Sequence, residues 1–426
     1  MGGLRWQKLQ SPGLREWAWA AAGLLFIGLV VVGAGVRAQK QGIGTDFHVF
    51  WQAGYDFAHG LPLYDRDPGA RRFLYPPFAA QVFQLLGLFP LRAAAWAFYV
   101  VSACLAVWAA RLSSNIVRQV EPGSRRGPLP LVLAVLCSLA FILDNLVHVQ
   151  VNLLILVLCL LGVQDFIGRK ETAAAGWLTA ATAIKITPVF FLAWALIRGG
   201  RRRLAAIAAF GGLCLILPIL QRGPQQGLSD LSAYYDTFLY YFATGGVVTV
   251  FRNQNLAAMV YRALVPGAAM DVTPYEYAYL GSLAATAPLM YRTLALLVLI
   301  GFLTYLVHRR VATKPVRALE ISSVFLAGHL LSGITFKAHL VSLLFVSYGF
   351  FSLDSRAVYG WRRGTLSLAW AALLVIGLGR DVTGSRLQHY MAGYSLYVWV
   401  MLLLLVLCIL WETAGNNDVS GNQQIA

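Results

Sequence analysis

The stretch LPLVLAVLCSLAFILDNLVHVQVNLLILVLCLLGVQDFI, residues 129–167, decides the fold class. Two apolar runs, 129–147 and 151–167, flank a junction that carries Asp144, Asn145, His148, Gln150 and Asn152. Each run approaches the ~20 residues a helix needs to cross a hydrocarbon core about 30 Å thick. Neither alternates with the two-residue period of a barrel strand. Only helices and closed barrels satisfy their backbone groups in lipid, so the stretch reads as a membrane-spanning helical hairpin.

The same pattern continues on both sides. Spans are expected at roughly 17–36, 93–111, 129–147, 151–167, 173–186, 188–198, 203–220, 288–308, 317–334, 339–353, 364–380 and 392–412, twelve in all. Composition agrees: 58% of the 426 residues are hydrophobic, 12% are charged, and mean hydropathy is +0.65. A soluble domain is nearer a quarter charged. The expected fold is an all-α, polytopic transmembrane bundle, one domain over 1–412, with a polar cytoplasmic tail at 413–426 too poor in apolar residues to order. The runs at 173–186 and 188–198 are short and meet at Pro188 in IKITP. Short or broken helices deep in a membrane line cavities.

A net charge of +16 would point to nucleic acid in a soluble protein. Here it reads as topology and contact with anionic lipid, and no nucleic-acid partner is expected. Twenty of the 34 Lys and Arg fall in six segments between alternate spans: before 17, 111–126, 169–170, 198–203, 309–317 and 356–363. The positive-inside rule places these segments and both termini in the cytoplasm of a cell membrane. The run at 17–36 is longer than a signal-peptide core, so an uncleaved first helix is expected. Long outer loops then fall at 37–92 and 221–287. Within the first, YPPFAAQVFQLLGLFP (75–90) is too short and proline-bounded to span, and a helix lying in the interface is expected. The five cysteines sit inside apolar runs with no CxxC pair, which argues against a disulfide framework or a zinc site.

The polar residues gather on the outer side. GTDFHVFWQAGYDFAHGLPLYD (44–65) could be a solvated loop, but its aromatics argue for order at the interface. If it folds over the spans, Asp46 faces a partly dehydrated cavity where a carboxylate makes a good base. The junction LDNLVHVQVN (143–152) is either a plain hairpin turn or a set of hydrogen-bonding groups for a hydroxyl-rich ligand such as a sugar. Lys185, flanked by apolar residues, either snorkels to the surface or meets a phosphate. Arg252, Asn253, Gln254 and Asn255 in FRNQNLAAM (251–259), with Lys337 and His339 in SGITFKAHL (332–340), bring further polar groups to the same side. Converging cations fit an anionic lipid headgroup; ion pairs with Asp230 or Asp236 are the alternative.

In chain order, GTDFHVFWQAG, LYD then FLYPPF, HVQVN in place of a GQVN-type turn, AIKITPVFF for LKxTP, RNQNLAAM for NQSL, and FKAHL before a late helix form one pattern over about 40–345. This pattern resembles the bacterial polyprenyl-phosphate-mannose-dependent α-mannosyltransferases of the GT-C superfamily of membrane glycosyltransferases. The resemblance implies a GT-C type fold with active-site loops at 37–92, 144–152, 221–287 and 334–340. It implies a hexose, mannose, moved from a polyprenyl-phosphate donor to a glycolipid or glycan acceptor on the outer face, with inversion at the anomeric carbon. Asp46 is then the general base. Lys185, Arg252, Lys337 and His339 hold the donor phosphate. His48, Trp51, His148, Gln150, Asn152, Asn253, Gln254 and Asn255 surround the sugar and acceptor. No metal or cofactor is implied. The chain departs from the family where Gly333 replaces a common proline and where His148 stands for a glycine before Gln150. A lipid-linked sugar flippase would use the same cavity without a base, and a structural subunit would need neither Asp46 nor Lys185. Polar groups on one side only, apart from Asp165, favour the enzyme.

Overall fold

The computed structural model describes residues 28–29, 31–40, 46–64, 72–125, 128–266, 283–353 and 360–413, and every regular element among them is a helix. A first helix, α1, covers 31–40; most of the expected span at 17–36, and the tail from 414 onward, lie outside the described residues. Two helices of the first loop follow, α2 (Phe47–Ala58) and α3 (Pro77–Gly87). The bundle continues as α4 (Leu91–Val120), α5 (Leu129–Val147), α6 (Asn152–Ile167), α7 (Glu171–Ile184), α8 (Val189–Arg198) and α9 (Arg201–Arg222). In the second loop α10 (Pro224–Tyr234) runs into a π-turn at Tyr235–Tyr240, and α11 (Leu256–Leu264) closes it. Last come α12 (Ala287–Val311), α13 (Ala318–Leu331), α14 (Leu343–Ser352), α15 (Trp361–Gly377), α16 (Arg380–Gly393) and α17 (Leu396–Thr413).

Length and apolarity divide these helices. Five are long and apolar enough to cross a membrane: α4, α5, α9, α12 with its lead-in from Ala284, and α17. α15 and the continuation Val382–Gly393 form a pair bent by 108°, which makes at most a sixth crossing. α6, α8 and α13 are apolar but shorter. The chain is therefore a polytopic helical membrane protein, and several of the twelve expected spans are short or interrupted helices. The interruptions have local causes. α7 ends where Lys185 turns extended (φ −148°, ψ 124°), and Pro188, which has no N–H, starts α8. The expected helix at 339–353 opens as a 3₁₀ turn, Lys337–Ser342.

α4 runs nine residues past the expected limit of 111, because nothing breaks it before Pro122–Gly123 and its last turns bury Ile116, Val117 and Val120. The helix expected within 75–90 is present as α3, packed on α2 through glycines. A Cβ at Gly54 would lie 2.2 Å from the Phe83 carbonyl oxygen, and one at Gly87 would lie 2.6 Å from the Tyr55 nitrogen. No side chain larger than hydrogen allows the two backbones so close.

One end of the bundle is tied by buried charge. Glu320, in the first turn of α13 and fully buried, pairs with Arg198 at the end of α8 and with Arg309 near the end of α12 (3.0 Å), and accepts from Trp194 Nε1 at 2.8 Å. Arg309 also pairs with Glu412 at the end of α17 (2.6 Å), and Arg317 pairs with Glu121 beside the end of α4 (2.6 Å). Five chain segments meet there. Replacing Glu320 by Ala leaves Arg198 without its carboxylate and Arg309 with Glu412 alone, at a cost of about 3–5 kcal/mol. We expect Glu320→Ala to lower the thermal midpoint in detergent by several degrees. An unchanged midpoint would show that packing alone holds this end.

Candidate functional site

At the opposite end lies a cavity of about 1250 Å³. It is larger than the roughly 300–1,000 Å³ of a typical small-molecule pocket. Its walls come from breaks in the helical pattern: the start of α2, the α5–α6 junction, the α7–α8 break, the coil before α11, the turn after α13 and the start of α16. Backbone that leaves a helix in a membrane must find other partners, and a polar cavity supplies them.

Asp46 takes the N-cap position of α2 but makes no side-chain bond to the first turn. Its Oδ2 instead accepts from Gln150 Nε2 at 3.2 Å, across 104 residues of sequence. Lys185 is buried, donates from Nζ to Asn152 Oδ1 at 2.6 Å, and sits over the Tyr75 ring at 5.9 Å. The snorkelling alternative for Lys185 does not apply. His339 has its Nδ1 3.2 Å from the Phe336 N–H and 3.1 Å from the Ile334 oxygen, so main chain fixes the ring. Lys337 donates to Gln388 Oε1 and lies 5.3 Å over the Tyr397 ring. Burial lowers the pKa of Lys337, while Asp144 raises it and Arg380 lowers it further. His148 lines the cavity 3.6 Å from Asp144, and Arg252 stacks over Phe251.

Asp46, His148, Gln150, Lys185, Arg252, Lys337 and His339 thus line one chamber. The other six expected site residues do not. His48 is exposed and stacks on Trp51, whose Nε1 donates to the Phe89 oxygen in the turn between α3 and α4 at 2.8 Å. Asn152 stands behind Lys185. Asn253, Gln254 and Asn255, expected beside the sugar, are fully buried outside the chamber lining and bonded to main chain. Asn253 binds the Val248 and Gly333 oxygens and the Thr335 N–H; Gln254 binds the Phe251 and Ala392 oxygens. Asn255 caps α11 through the Ala258 N–H and donates to the Ser332 and Gly333 oxygens. Polar residues in a loop look alike in sequence whether they bind ligand or backbone. Asp230, the alternative partner for Lys185, Arg252 or Lys337, instead meets Arg222 at 2.6 Å, and neither residue of that pair lines the chamber.

Sequence reasoning missed Arg37, Arg72, Tyr75, Arg380, Gln388 and His389, all of which line the chamber. The available signal was the polar stretch GRDVTGSRLQHY (379–390) between the last two apolar runs. Among the described lining residues, six Lys or Arg face two Asp, so the chamber is electropositive. Among the described residues, no three His, Cys, Asp or Glu side chains gather as a metal site.

A helical membrane bundle with one large cationic chamber at the end opposite its buried charge network is the class that fold and site define. The model of glycosyltransferase family 87 matches residues 73–333, more than half of the chain; the chain belongs to that family and is a membrane glycosyltransferase. No curated protein sequence matches it. The matched stretch includes His148, Gln150, Asn152, Lys185 and Arg252, and leaves Asp46, Lys337 and His339 outside.

The structural role of Asn255 is testable. Asn255→Ala removes a cap and two carbonyl partners, and should destabilise the protein by about 1–2 kcal/mol. Its thermal midpoint should fall while the apparent KM for sugar donor stays at the wild-type value. A raised KM with unchanged stability would return Asn255 to the binding site.

Proposed function

We propose that the enzyme transfers a hexose, mannose, from a polyprenyl-phosphate donor to a glycolipid or glycan acceptor, with Asp46 as general base. The observation that carries this reading is the meeting of Asp46 and Lys185 in one chamber, from segments far apart in sequence. An acid–base group and a cation are what a displacement at a phosphorylated anomeric carbon needs. Asp46 takes the proton of the acceptor hydroxyl as its oxygen attacks the anomeric carbon. The bond from that carbon to the phosphate oxygen breaks, and its electron pair leaves with the polyprenyl phosphate. One such displacement inverts the anomeric centre. Lys185, Lys337 and Arg252, with His339, stabilise the charge growing on the leaving phosphate. This chemistry needs no metal. His148 lines the same chamber, within reach of the sugar or acceptor.

Flippase activity would need the chamber to open alternately to both sides. The network around Glu320 ties the far end shut with five segments, which favours the enzyme. Arg198, Arg309 and Arg317, from two of the arginine-rich segments, stand at that far end, and the positive-inside rule then turns the chamber toward the periplasm or exterior, with both termini cytoplasmic. Ser124→Cys in an otherwise cysteine-free background should resist an impermeant thiol reagent in intact cells and react after permeabilisation. Labelling in intact cells would invert the layout.

Catalysis is tested by Asp46→Asn in membranes supplied with radiolabelled polyprenyl-phosphate mannose. Asn keeps the size of the side chain but cannot take a proton, so the rate should fall ~10²–10⁴-fold with expression unchanged. Lys185→Ala should differ, raising apparent donor KM as well as lowering kcat, because a phosphate contact acts in both ground and transition states. Wild-type transfer by Asp46→Asn would remove Asp46 as the base and leave Asp56 or Asp65 as candidates.

A further inference from the structure

The α5–α6 junction is built at a conformational cost that a simple hairpin does not require. α5 ends in the double-bonded helix stop of Schellman type: the Gln150 N–H donates to the Asn145 oxygen at 2.9 Å and the Val149 N–H to the Leu146 oxygen at 3.2 Å. That stop needs a left-handed residue at its corner, normally glycine or asparagine. Here the corner is Val149 at φ 51°, a β-branched residue, fully buried. Valine in this region is a true backbone outlier, and outliers of this kind persist where the surrounding structure over-determines them.

The left-handed corner has a consequence two residues long. It reverses the chain so that α6 starts at Asn152, and it turns two polar side chains, Gln150 and Asn152, toward the chamber end. Each then makes one contact with a group from a distant segment. Gln150 Nε2 donates to Asp46 Oδ2 at 3.2 Å. Asn152 Oδ1 accepts from Lys185 Nζ at 2.6 Å. Asp46 itself is at an N-cap, where an aspartate ordinarily bonds the first turn of its own helix, yet it makes no such bond. Its Oδ2 instead accepts from Gln150 across the chamber. Lys185 sits in the extended break between two helices, 33 residues from Asn152, with its Nζ 5.9 Å from the centre of the Tyr75 ring.

We propose that this strained junction is a positioning device: Gln150 orients the Asp46 carboxylate, and Asn152 orients the Lys185 ammonium, so that neither amide is a sugar ligand. It rests on the reading of Asp46 as base and Lys185 as phosphate contact. A donor fixed on one carboxylate oxygen sets the rotation of the group and hence the lone pairs offered to an acceptor hydroxyl. An acceptor fixed on the ammonium sets where the positive charge stands. Because the two amides are two residues apart on one rigid turn, the spacing between base and cation is set by a single backbone element. A small misplacement of either group costs rate, since catalysis depends on near-attack geometry.

The test uses the full-length enzyme in membranes with radiolabelled polyprenyl-phosphate mannose and endogenous acceptors. Gln150→Met keeps side-chain length and removes the donor. We expect kcat to fall about tenfold with apparent donor KM within about twofold. In the Asp46→Asn background the same change should have no further effect, because Gln150 acts through Asp46; a direct sugar ligand would lower the residual rate again. Asn152→Leu should raise donor KM about fivefold or more, as Lys185→Ala does. A raised KM, an unchanged kcat, or additive losses for Gln150→Met overturn the proposal. Wild-type transfer by Asp46→Asn instead overturns the assignment of the base, a separate outcome. A cryo-electron microscopy map of Gln150→Met gives a readout independent of turnover and of stability. The Asp46 side chain should change rotamer, and an unmoved carboxylate overturns the positioning role.

Discussion

Inside a bilayer every backbone N–H and C=O must find a partner within the protein, and the chamber exists because this chain breaks that helical pairing in several places at one end. Lys185, Gln150, Asn253 and Thr335 all sit at such breaks. Freed main-chain groups there are satisfied by buried amides: Asn253, Gln254 and Asn255 together hold the coil before α11 against the turn after α13. The polar residues of this end therefore divide into two kinds. One kind replaces lost helical hydrogen bonds. The other faces the chamber. Both are consequences of stopping helices part-way through a membrane, and the first kind makes the second possible.

The same distinction explains what the sequence could and could not reveal. Apolar runs, proline breaks and the clustering of arginines were readable, since each has a direct physical cause in lipid. The chamber's membership was partly readable, because a lysine at 185 between apolar runs has few bland explanations. The roles of Asn253, Gln254 and Asn255 were not readable, because a main-chain carbonyl and a sugar hydroxyl select the same amide side chains. Arg37, Arg72 and Arg380 escaped notice for a different reason. Each sits in a loop or near a helix end, where an isolated arginine is ordinary, and only the fold brings their side chains to one space. Of the twelve expected crossings, five are full-length apolar helices among the described residues. Apolarity sets where a helix is buried, but length decides whether it spans, and α6, α8 and α13 are apolar without being long.

The two ends of the molecule use charge in opposite ways. Around Glu320 the guanidiniums are neutralised by carboxylates at close range, and the cluster is shielded from water. Such a buried network contributes mainly by fixing which segments meet, since desolvation offsets much of the ionic attraction. In the chamber the described Lys and Arg outnumber the described Asp by six to two, and the space around them is large. Positive charge left in excess next to an apolar wall favours an anionic ligand over water. Closed charge at one end and excess charge at the other fit a protein that offers a binding space to one side only.

This asymmetry bears on how a lipid-borne substrate would be handled. A phosphate whose chain is anchored in the membrane reaches a protein site without leaving the bilayer only if the site lies near the headgroup plane. Such a site stays electropositive only if its cations cannot turn away into water. Long flexible lysines satisfy neither condition unless they are held. Lys185 is held by Asn152 and Tyr75, and Lys337 by Gln388 and Tyr397. In each case an amide oxygen takes the ammonium and an aromatic ring lies near it, so the charge is fixed in place by neutral groups in direct contact, with Asp144 acting on Lys337 from farther off. A neutral partner is the physical solution here. A carboxylate would lock the lysine equally well but would remove the field that draws an anionic ligand, whereas an amide and a π-face orient the ammonium and leave its charge available.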